Sequence, residues 1–366
     1  MKSTIAAAQV YKTRESVISA VHKAMDLAKW NRYLKSGKKN KKIFIKINLL
    51  SHQVVPGHCT SPCVLEAVVL KLKNQGNFKI YVGDCNVATI RQVETAARNW
   101  GILGICRKYN VEFVNLSKQP VKVIDSGGKI FPRIYLPKIL TEIDYIITIP
   151  VAKTHNVAGM TCALKNQWGC MPRFRHQYHG VVHRAIAEIN KAVNPDFVVC
   201  DATVCSEGEG PRTSIPKVCN YVFASNDLVA MDSFMADFMG LDKNKIEFIY
   251  WSEKMKLGSS KYELAGELDR LVGRNNEVIS RNFKKPVQKH HPIVYAEMKL
   301  RKIPMINYLI FKTPLFRLPA WIASRYNSIY WYRVKGKGAA EEVIKKHILY
   351  RKEFSGLIKK QKEIWF

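Results

Sequence analysis

The chain is short of acid. Its 366 residues include 29 Asp and Glu against 59 Lys and Arg, a formal net charge of +30. Such a surface is not indifferent to polyanions. It favours nucleic acid, anionic lipid or phosphorylated small molecules without choosing among them. No CxxC pair occurs, which removes the spacing of zinc ribbons and ferredoxin-type frameworks. There is no GxxxxGK followed by Ser or Thr, no GxGxxG after a strand and no GxSxG. The P-loop, classical dinucleotide and serine-hydrolase readings therefore lose their usual fingerprints. The opening "MKSTIAAAQVYKTRES" lacks the apolar run of a secretory signal. The nine scattered cysteines are accordingly expected to be reduced thiols in a cytoplasmic protein.

What is present is an alternation of strand and helix patterns. Residues 1–41 are expected to form a helical lead-in, with Val17, Ile18, Val21, Met25 and Leu27 at roughly helical spacing. "IFIKINLL" (43–50), "KIYVGDC" ending near Asp84, "VEFVNLS" and "DYIITIP" (144–150) read as strands. "TSPCVLEAVVLKLKNQG" reads as a helix with Ser61 as N-cap, Pro62 at its first position and Gly76 closing it. "TIRQVETAARNWG", "VVHRAIAEINKAV" and "NDLVAMDSFMADFMG" read as further helices, and "DFVVCDAT" and "NYVFAS" as further strands. "VKVIDSGGKIF" reads as a hairpin and "SEGEGPRTSIPK" as a long polar loop. The order predicts an α/β fold: a Rossmann-like sheet, mainly parallel or mixed, with helices on both faces. Three segments follow: the lead-in 1–41, a core at 42–275 and a basic, aromatic, helical extension at 276–366. That last quarter carries 20 Lys and Arg against 6 Asp and Glu.

In sheets of this kind ligands bind at the carboxyl ends of the strands. That edge would gather Lys46, Asn48, Asp84, Lys153, His155, Asp201 and Glu207. The stretch from Val151 to Gly180 holds two lysines, two arginines, three histidines and two cysteines, and no carboxylate. It reads as a solvated basic loop or as the wall of a basic cleft. Lys153 and Lys165 are point charges for phosphate or carboxylate, Asn166 donates and accepts, and Arg173 and Arg175 add planar forks. We therefore expect Lys46, Asn48, Lys153, His155, Asn166, Arg173 and Arg212 to bind an anionic small molecule. Lys165, Asp201 and Glu207 are the candidates for proton transfer, with a divalent metal as a further option. A metal or redox reading rests on Asp84, Cys162, Cys170, His176 and His179, the last two at helical spacing with His183.

A third, non-catalytic reading belongs to the extension. Trp321, Tyr326, Tyr330, Trp331 and Tyr332 among Lys and Arg suit a membrane-interface belt on an anionic surface, at the inner face of the membrane. The same mixture suits single-stranded nucleic acid, a weaker expectation because no sequence-specific motif accompanies it. It equally suits a helical cap packed on the core. Residues 303–323 are apolar apart from Lys312 and Arg317, but Pro304, Pro314 and Pro319 argue against a spanning helix.

Six separated motifs, "IKINLL", "TSPCVLEAVVLKLK", "VGDCN", "DYIITIPVAKTHNVAGMTCALKNQWGCMP", "DATVCSEGEGPR" and "SNDLVAMDSFMADFMG", occur in that order. Together they resemble the domain-of-unknown-function family 362 over about residues 40–245. The resemblance implies the α/β core and its cleft. The family is prokaryotic and in places is fused to, or described as, iron–sulfur protein with ferredoxin-like cysteine motifs. This chain departs from that pattern, since it has no CxxCxxC run.

Overall fold

Short, nearly continuous apolar runs make strands that are covered on both faces. β2 (Lys42–Ile47) is buried at every residue after its first. Alternate side chains of β2 enter opposite cores: Ile43, Ile45 and Ile47 one, Phe44 the other. The structure, a computed structural model, describes residues 2–32, 34, 40–87, 93–275, 277–286, isolated positions between 300 and 322, and 325–361. Within it β7 (Tyr145–Ile149), β2, β3 (Lys79–Asp84) and β4 (Glu112–Asn115) pair in that order, all parallel. The crossovers are α2 (Pro62–Gln75), then α3 (Val93–Asn99) and α4 (Ile102–Lys108). The Ser61 side chain accepts from Val64 N and Pro62 opens the helix, as their positions predict.

Beyond β7 the sheet turns antiparallel. β10 (Phe197–Glu207) runs parallel to β7 and antiparallel to β11 (Ile215–Ser225), which lies antiparallel to β1 (Ser3–Gln9). β12 (Tyr262–Gly266) closes that edge parallel to β1. The short strands β8 (Val151–His155) and β9 (Gly159–Thr161) form a hairpin beside β10. The result is a mixed ten-stranded sheet. The hairpin around Gly127 and Gly128 is separate, made of β5 (Val121–Asp125) and β6 (Arg133–Pro137).

Two readings of local structure are corrected. The lead-in begins with a strand, because "STIAAAQ" pairs on both sides; two ladders outweigh the helix preference of three alanines. α1 (Arg14–Leu27) follows it, with Thr13 as N-cap. The polar loop 206–217 is shorter than expected, because β10 extends to Glu207 and β11 begins at Ile215.

Helices cover both faces. α6 (Val182–Val193), α7 (Leu228–Met239) and α8 (Glu247–Lys254) pack on one side, through Ile186, Phe234 and Phe248. α1, α2 and α3 pack on the other, joined there by the two C-terminal helices α9 (Lys337–Lys346) and α10 (Ile348–Lys360). Val343, Leu349, Tyr350 and Phe354 are part of that second core. The Tyr350 hydroxyl lies 2.6 Å from Asn220 Oδ1. Glu353 reaches the start of α2, where its carboxylate accepts from Cys63 N at 3.2 Å and from the Ser61 hydroxyl. The far end of the chain thus satisfies donors that a helix N-terminus leaves open. A π-helical segment, Tyr326–Gly336, leads into α9. Its Trp331 stacks on His58 at 5.4 Å, and Trp331 and Tyr332 are buried beside Val55. Among the described residues no helix is long and apolar enough to cross a membrane. Most of residues 303–323 lie outside the described residues.

Candidate functional site

Lys46 sits on β2 facing the helix-covered interior, a costly place for an ammonium unless it is paired. It is paired with Asp84 at the end of β3, at 2.7 Å; the two side chains are 1% and 7% exposed. Lys46 also donates to Ile47 O at 2.8 Å. Asp84 accepts from Leu49 N at 2.7 Å and Cys85 N at 2.8 Å, so one carboxylate ties two strand ends together. Burial works against the Lys46 charge, but Asp84 outweighs it and holds the ammonium above its ordinary range. Gly169 closes over the pair. A Cβ there would stand 2.8 Å from Asp84 Oδ1 and 3.1 Å from Lys46 Nζ, which explains the glycine of "NQWG".

Around this pair lies a cavity of about 440 Å³, at the carboxyl ends of β2, β3 and β8. β8 supplies Lys153, which donates to Asn48 Oδ1 at 2.9 Å and to His58 O at 3.1 Å. Burial pulls its pKa down to about 8. Asn166 donates to Thr148 Oγ1 at 2.7 Å and Lys46 O at 3.1 Å, and accepts from Asn48. The short helix α5 (Ala163–Asn166) is anchored by Asp232 of α7, which accepts from Ala163 N and Leu164 N. That anchoring presents Lys165 to the cavity. Lys165 has no hydrogen-bond or ion-pair partner among the described residues. Burial and the nearby charges of Lys153 and Arg175 push its pKa down to about 7.

His155 closes the β8 side. Its Nδ1 accepts from Val157 N at 3.1 Å and Ala158 N at 3.2 Å, which leaves the ring proton on Nε2. Burial, with the Lys165 charge next, keeps this imidazole neutral far below its ordinary pKa. Arg175 donates to Met171 O, Asn86 O and the Cys85 sulfur. Arg212 comes from the β10–β11 loop, and burial lowers its pKa to about 10. Among the described residues, five cations thus line the hollow against one carboxylate, and that carboxylate is committed to Lys46.

Of the strand-end set, Lys46, Asn48, Asp84, Lys153 and His155 line one cavity, together with the expected ligand residues Lys165, Asn166 and Arg212. Asp201 and Glu207 do not join them. Asp201 is 1% exposed and turns toward α2, accepting from Ser61 N at 2.8 Å and from Thr203. Glu207 pairs with Lys217 across the hairpin at 2.8 Å and accepts from Lys284 N. The side chain of Arg173 lies outside the described residues.

The five proposed metal ligands do not converge either. Cys162 points into the core, its sulfur 3.4 Å from that of Cys200. Cys170 is buried, and burial pushes its thiol up to about 12. Asp84 is held by Lys46. His176 and His179 stack on each other at 5.4 Å along the cavity wall. Among the described residues no group of three or more His, Cys, Asp or Glu side chains assembles for a metal ion. Sequence reasoning gave no role to Gly169, and none in the cleft to Trp168 or Tyr326, which also line it. The signal for Gly169 was its place one residue beyond a tryptophan in a basic motif. Tyr326 carried no comparable signal.

Comparison with known proteins agrees with the motif order. A curated relative, the thylakoid-associated protein of Synechocystis sp. (strain ATCC 27184 / PCC 6803 / Kazusa), is 25% identical over 253 residues, covering 67% of this chain and 76% of that protein. Among solved structures, the lactate racemase apoprotein from Thermoanaerobacterium thermosaccharolyticum aligns with a TM-score of 0.39 and 18% identity, over 62% of this chain and 54% of that one. A Thermotoga maritima protein aligns with a TM-score of 0.39 and 14% identity, over 66% and 59%. The alignments thus span less than two thirds of either solved chain. The family model described as "Domain of unknown function (DUF362)" matches residues 43–237, more than half of the sequence, and the chain belongs to that family.

Proposed function

We propose that this protein is an enzyme that takes a small phosphate- or carboxylate-bearing molecule into the cavity at the ends of β2, β3 and β8. The observation that carries the reading is the charge of the lining: among the described residues, five cations against one carboxylate, which is paired with Lys46. Gathering several enclosed cations in one hollow is costly, and an anionic ligand offsets that cost. Lys153, Arg175 and Arg212 would hold the anion, and Asn48 and Asn166 would fix its orientation. Lys165, with a pKa near neutrality, is the group suited to exchange a proton with it.

The sign of the pH dependence follows. Lys165 and Lys153 have pKa values lowered to about 7 and about 8, and a bound anion favours their charged forms. Affinity should be greatest below pH 7 and fall as pH rises to 9. A ligand at a hundred times its Kd stabilises the fold by about 2.7 kcal/mol. Thermal melts with inorganic phosphate, pyrophosphate and citrate should therefore show a raised Tm at pH 6.5. The rise should shrink at pH 9, be reduced in Lys165→Ala and be largely lost in Lys153→Ala. A Tm unmoved by all three probes up to high millimolar concentration would end this reading.

A second reading concerns the C-terminal arm and is compatible with the first. Ile322, Tyr326, Tyr330 and Val334 recur at intervals of four, and all are exposed. Residues 325–361 carry ten Lys and Arg against three Glu. An exposed apolar stripe flanked by cations suits peripheral attachment to anionic lipid. The Synechocystis relative is described as thylakoid-associated, which fits such attachment. Full-length protein should sediment with phosphatidylglycerol vesicles and not with phosphatidylcholine alone. The pair Tyr326→Ser and Tyr330→Ser should lower the bound fraction about tenfold. Undiminished sedimentation of that variant would remove the stripe from any membrane role.

A further inference from the structure

We propose that Lys165 forms an imine with its ligand, and that the ligand is an anionic aldehyde or ketone: a 2-oxo acid or a phosphorylated carbonyl compound. This rests on the anion-binding reading of the same cavity and names the substrate class for it. The geometry separates three lysines that line one hollow. Lys46 is bound to Asp84 and Ile47 O. Lys153 is bound to Asn48 Oδ1 and His58 O. Lys165 alone of the three has no acceptor among the described residues, so nothing there stabilises its ammonium form. Among the described lining residues cations outnumber carboxylates, and the one carboxylate, Asp84, is set against Lys46. The proton most easily given up is the one on the lysine without an acceptor. An amine enclosed beside other cations is a recognised arrangement for a nucleophilic lysine. Here the lowered pKa of Lys165 has the same two sources, burial and the charges of Lys153 and Arg175.

The remaining parts suit the step. The Lys165 nitrogen lone pair attacks the carbonyl carbon and a C–N bond forms. The C–O bond then breaks, and the oxygen leaves as water with the two protons of the amine, giving the imine. No oxidant or reductant is consumed. His155 lines the same cavity with its proton on Nε2, because Nδ1 is taken by two backbone donors. It is a neutral donor for the carbonyl oxygen as that oxygen gains charge. Lys153 and Arg212 are left to hold the carboxylate or phosphate.

The test is reductive trapping on the full chain. Protein is incubated with glyoxylate or pyridoxal 5′-phosphate and cyanoborohydride at pH 7.5, and the adduct is mapped by peptide mass spectrometry. An amine of pKa about 7 has on the order of several hundredfold more neutral form at that pH than an ordinary lysine of pKa about 10.4. Its weaker intrinsic nucleophilicity offsets part of this, so Lys165 should be labelled at least about tenfold faster than any other lysine. The labelling rate at Lys165 should rise between pH 6 and 8 and then level, while that at surface lysines keeps rising. Lys165→Arg should lose the adduct yet keep its Tm response to inorganic phosphate, because the cation is retained. Labelling spread evenly over surface lysines, or a Lys165 peptide left unmodified, overturns the proposal. If the phosphate response of the wild-type protein persists in that case, the anion-binding reading survives; if it too is missing, both fall.

Discussion

Asp84→Ala should lower the unfolding free energy by about 3–5 kcal/mol, the range for removing one partner of a buried ion pair. The loss has two parts. The Lys46 ammonium, 1% exposed, would keep only Ile47 O as an acceptor. Leu49 N and Cys85 N would lose the carboxylate they share. Lys46→Met should cost a similar amount, by stranding Asp84 instead. The double variant Lys46→Met with Asp84→Ala should cost less than the sum of the two single changes, because it leaves no unpaired buried charge. Urea midpoints of the four proteins at constant m-value give the coupling directly. Strict additivity would mean that the pair is energetically incidental.

The second large effect concerns the C-terminal arm. Ending the chain at Gly336 removes Val343, Leu349, Tyr350 and Phe354, all buried in the core that covers one face of the sheet. Single truncations of such side chains to alanine cost about 2–5 kcal/mol each. Their joint removal, on the order of 10 kcal/mol, is comparable with the 5–15 kcal/mol stability of a typical native protein. The shortened chain is therefore expected to lose cooperative thermal unfolding and to become protease-sensitive. A cooperative transition within about 2 kcal/mol of the full-length protein would show that α9 and α10 are dispensable for the core.

Much of the frame was legible because the signals were local. Ser61 and Pro62 mark the start of α2, and the apolar run at 145–149 marks a central strand; neither depends on distant partners. β1 was not legible. Its neighbours are β11 and β12, more than two hundred residues away, and three alanines favour a helix until those ladders form. The cavity was partly legible because strand-end positions converge in any parallel sheet, so Lys46, Asp84 and Lys153 needed only their places in the chain. Asp201 occupies an equivalent place but faces α2. That direction is set by its place on β10, where it shares with Phe197 and Val199 the face that α2 covers. Cysteine and histidine spacing suggested a metal because spacing along the chain does not show which thiol faces the core. Cys162 meets Cys200 there. The aromatic, basic tail fitted a lipid surface and a packed cap equally well, since composition does not distinguish Trp331, which is buried, from Tyr330, which is exposed.

The carboxylate that completes the first turn of α2 stands 292 residues downstream of Ser61. At bacterial or eukaryotic rates of about 5–20 residues per second, a ribosome needs roughly 15–60 s to deliver it. Throughout that interval the nascent polypeptide holds α2 without Glu353, and for the earlier part of it β1 also waits for β11 and β12. Translation speed and chaperone occupancy should therefore govern the yield of this protein more than they do for chains whose early helices are finished by near neighbours.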